Sequence, residues 1–82
     1  MKTWFEFSVQ DYMSPRPEIE YRSYDTKEEA EHYAHSMSSS AWSGTVTLIG
    51  VADPDKLLAF AKEVGADSKI IEEIILWSKS LR

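Results

Sequence analysis

The sequence predicts an α+β fold in which a three-stranded antiparallel sheet, ordered 2-1-3, packs against helices in the order ββαβαα. Three observations predict it. Two segments alternate apolar and polar residues with a period of two. A third is rich in β-branched residues and flanked by glycine. Three others open on helix caps and continue with apolar residues at helical spacing.

In the first strand, Thr3 to Val9, the residues Phe5, Phe7 and Val9 alternate with Glu6 and Ser8, so one face is expected to be buried, while Trp4 is placed to cover the other. The stretch Ser14-Pro15-Arg16-Pro17 fixes two φ angles and removes two donors, which turns the chain. Glu18 to Tyr24 alternates again with Ile19 and Tyr21 on one side, completing a hairpin.

Thr26-Lys27-Glu28-Glu29 has the Thr-x-x-Glu spacing of a capping box and starts the first helix. Its stripe is Ala30, Tyr33, Ala34 and Met37, and the serines from Ser38 to Ser40 end it. Thr45 to Val51, between Gly44 and Ala52, reads as the third strand, and the most buried one if both faces carry apolar residues. A right-handed crossover through the helix returns this strand beside the first, which gives the order 2-1-3.

Asp53-Pro54 supplies an N-cap and a Pro at the first helical position; Leu57, Leu58, Ala61 and Val64 follow, and Gly65 closes the second helix. Asp67 caps a third, from Ser68 to about Leu81. There Ile70, Ile74 and Trp77 can face the core, while Ile71, Ile75 or Leu76 look partly outward.

Eighty-two residues suffice for one domain, 1–82, of modest core. The chain has no cysteine, so neither a disulfide framework nor a thiolate metal site supplements that core; three Trp, four Tyr and three Phe must fill it. No apolar run reaches the roughly 18 to 20 residues of a membrane span, and MKTWFEFSVQD holds acids where a secretory signal has none, so a cytoplasmic protein is expected. Fourteen acids against nine bases give a net charge of −5, which disfavours a direct hold on nucleic acid and favours a protein partner with a basic or neutral surface.

No catalytic set assembles along the chain. Ser43 stands between Trp42 and Gly44, without the Gly-x-Ser-x-Gly elbow of a nucleophilic serine. Glu28, His32 and His35, at i, i+4 and i+7, share a helical face and are the strongest alternative, a small metal-dependent or acid–base enzyme; the same residues also read as a solvated face with i, i+4 pairs. Asp53 already serves as a cap, and Gly44, Gly50 and Gly65 are isolated boundary residues rather than a phosphate loop. Neither a catalytic residue nor a metal or cofactor is assigned.

The stretch Thr26 to Ile49 has acids and Ala30-x-x-x-Ala34 on a helix, then a polar loop into Gly44-Thr45-Val46-x-x-Ile49. This resembles the helix-to-strand joint of small anti-CRISPR proteins of phages and mobile elements, over under a third of the chain. The resemblance implies a noncatalytic inhibitor that blocks a nuclease or surveillance complex.

The expected function is therefore a small noncatalytic protein-binding module, an inhibitor or adaptor that occludes a partner's surface. Its expected contact residues are Trp42, Tyr12, Arg16 on the Pro15-Arg16-Pro17 tip, Glu28 and Glu31 of the acidic helix start, and Ile75 and Trp77 of the last helix. A further alternative is a structural subunit that forms a homodimer through the last helix.

Overall fold

The computed structural model describes residues 2–10, 16–38 and 44–81. Strand β1 (Thr3–Gln10) runs down the middle of the sheet, antiparallel to β2 (Glu18–Tyr24) on one side and to β3 (Thr45–Val51) on the other. Helices α1 (Lys27–Ser38), α2 (Pro54–Glu63) and α3 (Ser68–Ser80) complete the expected ββαβαα order.

Period-two alternation splits β1 between two layers. Phe5, Phe7 and Val9 face α1, joined by Tyr24 from β2 and by Val46 and Leu48 from β3. Helix α1 meets this face through Ala30 and Ala34, both buried, whose small side chains let the helix backbone lie close over the large Phe rings. Tyr33 closes the layer edge-on to Phe7, with ring centroids 5.1 Å apart at 81°. Met37, expected on the same stripe, is exposed; the buried row ends one turn earlier, at Ala34. The Thr26 hydroxyl accepts from the Glu29 amide at 3.2 Å, as the capping box requires of its first residue.

Trp4 on β1 and Tyr21 on β2 point the other way, against the α2–α3 pair. The amide of Ala52 donates to the Trp4 carbonyl at 2.9 Å, extending the pairing just past β3 and delivering the chain to α2 on this second face. Leu57, Ala61, Ile74 and Trp77 then bury themselves with Ala52, Trp4 and Tyr21. Asp53 and Asp67 cap the two helices, accepting from the amides of Asp55 at 3.0 Å and Lys69 at 3.1 Å. Between the helices the Ala66 amide reaches the Ala61 carbonyl and the Gly65 amide the Lys62 carbonyl, the paired bonds of a Schellman turn; Gly65, at φ 70, takes the left-handed position it requires.

Burial corrects three further expectations. Trp77, placed among the exposed contact residues, is only 3% exposed, because Ile71, Ile74 and Trp77 form the inward i, i+3, i+6 row of α3 and Ile70 is left on its shoulder. Val64, expected to continue the buried stripe of α2, is 61% exposed. Strand β3 is not the most buried strand. It lies at a sheet edge, only Val46 is buried, and the register breaks opposite Glu6 and Phe7, where Gly50 takes φ 153 and Ile49 and Val51 emerge to solvent.

Candidate functional site

Beside β2, the α2–α3 pair leaves an apolar cleft of about 90 Å³. Helix α2 contributes Leu57, Phe60, Ala61 and Val64, an i, i+3, i+4, i+7 stripe; α3 contributes Ile70 and Ile74, the turn contributes Ala66, and the sheet contributes Trp4 and Tyr21. Leu57, Ala61 and Ile74 form a buried floor. Phe60, 37% exposed, Ile70, 40% exposed, and Val64 form an open rim. Among the described residues no charged side chain lines it. The Tyr21 ring rests against Phe60, with centroids 5.2 Å apart at 56°, and Ile19, two residues back on the same face of β2, extends the apolar strip outward.

The polar end of the cleft is acidic. The Tyr21 hydroxyl donates to Glu6 Oε1 at 3.4 Å. Burial raises the Tyr21 phenol above its ordinary pKa, and the charge of Glu6, its hydrogen bond and the charge of Asp53 push the same way, so the hydroxyl stays a neutral donor beside two carboxylates.

The alternate residues of the same edge strand build a different surface against α1. Arg22 Nε donates to Glu20 Oε1 at 2.7 Å while its guanidinium lies 4.4 Å from the centre of the Tyr33 ring. The Tyr33 hydroxyl donates to Glu20 Oε2 at 3.1 Å. Alongside is a wide, shallow depression of about 890 Å³ lined by Tyr24, Thr26, Glu28, Glu29, His32, Tyr33 and Ser36. Burial raises the phenols of both Tyr24 and Tyr33, with Glu20 adding to the effect and Arg22 opposing it.

The residues expected to touch a partner do not gather in one place. Tyr12 and Trp42 lie outside the described residues. Arg16 is exposed just ahead of β2. Glu28 lines the depression on the α1 side, and exposed Glu31 has its carboxylate 4.0 Å from Lys27 Nζ. Ile75 is at the surface of α3, in the layer across the sheet from those acids, next to exposed Leu76, which borders a shallow pocket of about 230 Å³ with Lys2, Trp4, Ser23 and Glu73. Trp77 belongs to the core. Among the described residues no group of three or more His, Cys, Asp or Glu side chains is placed to hold a metal ion, so Glu28, His32 and His35 share a helix face without converging.

Phe60 was missed by sequence reasoning although its signal was present, three residues after Leu57 and four before Val64 on the stripe. Alternation puts Tyr21 and Ile19 on a common side of β2 but does not say which layer that side meets. No helix among the described residues is long and apolar enough to cross a membrane. Comparison with protein-family models, curated proteins and solved structures finds no match to this chain.

Proposed function

We propose that the protein is a small noncatalytic protein-binding module that works by covering a partner's surface, with the β2 side of the molecule as its binding side. The observation that carries this reading is the cleft: an uncharged, apolar-walled opening whose rim residues Phe60, Val64 and Ile70 remain solvent-exposed in a domain small enough to need every apolar contact it can make. Aromatic residues set in partly formed pockets are the kind of group that dominates interface energy. The depression over Tyr24, Tyr33, Glu28 and Glu29 lies on the opposite face of the same edge strand, so a partner that wraps β2 meets apolar surface on one side and acids on the other.

The net charge of −5 supports a partner with a basic or neutral surface over direct contact with nucleic acid. An inhibitor of the anti-CRISPR kind is the narrower form of this reading, and it rests on the Thr26–Ile49 joint alone.

The test is affinity capture from cell lysate with the wild type and with Val64→Lys, which places a cation on an exposed rim position and leaves the floor intact. A protein retained by the wild type and lost by the variant, with equal thermal melting of the two, is the expected outcome. Retention of the same proteins by both removes the cleft from the binding side.

A further inference from the structure

We infer that the cleft receives a single aliphatic side chain of about leucine size, presented by a partner segment that carries a cationic residue beside it. This rests on the binding-module reading and specifies what that module recognises.

Size sets the first limit. An enclosed apolar cavity of roughly 150 Å³ accommodates benzene, and the about 90 Å³ of this open cleft matches one branched aliphatic group better than an indole or a pair of side chains. Wall chemistry sets the second. Leu57, Phe60, Ala61, Val64, Ala66, Ile70 and Ile74 offer neither donors nor acceptors, which leaves the Trp4 indole N–H and the Tyr21 hydroxyl as the side-chain polar groups among the described lining residues. The Tyr21 hydroxyl at the cleft end is already directed at Glu6. A sugar, a nucleobase or a polar side chain would lose most of its hydration there with at most the Trp4 N–H to replace it, whereas an isobutyl group has no hydrogen bonds to lose.

Charge sets the third limit. Among the described residues, the acidic end of the cleft is the one where Glu6 accepts from Tyr21 and where the Asp53 carboxylate acts on the same phenol. A lysine or arginine flanking the aliphatic residue would meet these carboxylates as its neighbour enters, and an acidic flank would be repelled. Binding would therefore need both features together, and neither alone.

The experiment uses the full chain with isotope-labelled methyl groups and three capped peptides: Gly-Lys-Leu-Lys-Gly, the same peptide with Ala for Leu, and the same peptide with Glu for both Lys. The first is expected to shift the methyl signals of Leu57, Val64, Ile70 and Ile74 in a saturable way, with the other two at least about tenfold weaker. Ala66→Leu, which fills the cleft from the turn, should abolish the shifts, and Val64→Lys, whose cation on the exposed rim opposes those of the peptide, provides the same check should Ala66→Leu fail to fold. Equal shifts from the Ala peptide would mean that charge alone is read, and equal shifts from the Glu peptide that no cation is required; either overturns the inference. Cleft signals that instead move with protein concentration, with a dimer in light scattering, would identify a second copy as the occupant and also overturn it. If no peptide binds while capture still depends on Val64, the binding-module reading stands and this occupant falls.

Discussion

The hydroxyl of Ser38 spans both backbone polar groups of Val46: it donates to the Val46 carbonyl at 2.8 Å and accepts from the Val46 amide at 3.0 Å. Ser38 is the last residue of α1, and Val46 sits in β3, an edge strand whose partner β1 lies on the other side. One side chain therefore closes the edge at the point where another strand could pair. Beyond it, the register break at Ile49 and Gly50 disturbs the rest. These two devices protect Thr45–Val51, a segment with no charge, no proline and high β-propensity, from edge-to-edge association.

Ser38→Ala should lower stability by about 1 kcal/mol, the usual net value of a lost hydrogen bond, and open the β3 edge. Urea denaturation measures the first effect. Light scattering over a range of concentrations measures the second, with association expected for Ser38→Ala and not for Ser38→Thr, which keeps a hydroxyl. A variant that loses stability but stays monomeric would mean that the bulge alone guards the edge.

Trp77→Ala should cost about 3–5 kcal/mol, because the indole is part of the buried cluster that joins α3 to α2 and the sheet. That is a large share of the roughly 5–15 kcal/mol available to a typical domain, so much of the protein should be unfolded at 37 °C by circular dichroism. Ile75→Ala, at a surface position of the same helix, should stay within about 1 kcal/mol of the wild type. Equal, small effects would return Trp77 to the surface.

Three of the four tyrosines, Tyr21, Tyr24 and Tyr33, have phenols raised above the ordinary value of 10.0, with burial as the leading cause in each. Folding thus favours the neutral phenol. The resulting stability is complete below the unfolded pKa and is lost as pH climbs through the folded values. Ultraviolet titration of tyrosinate should show delayed ionisation in the native protein relative to the urea-unfolded chain, with melting temperature falling above about pH 10. Glu20→Gln should advance the Tyr33 ionisation, since it removes a charge that raises that phenol. Coincident native and unfolded titration curves would contradict the buried aromatic layer.

The sheet order and all six elements were legible because each rests on a local rule: alternation in Phe5-Glu6-Phe7, the Thr26 cap, Pro54 after Asp53, and Gly65 at a left-handed turn. What was not legible is how far each helix rotates about its own axis. The apolar sector of α3 is so broad that several rotations bury similar area, and only packing against Trp4 and Leu57 selects Ile71, Ile74 and Trp77 over Ile70. The same uncertainty hid the cleft, since it forms where two stripes and a strand face diverge. Glycine at 50 signalled a strand boundary in the sequence; in the structure it marks a bulge inside β3.

Binding of a partner protein through the cleft beside β2, as proposed, can be read at the contact itself by photo-crosslinking in living cells from an unnatural amino acid at position 64, on the exposed rim. The expected result is a discrete crosslinked adduct with another protein that disappears when Ala66→Leu fills the cleft and the melting temperature is unchanged. An adduct pattern that is absent, or that persists unaltered with the cleft filled, would contradict it.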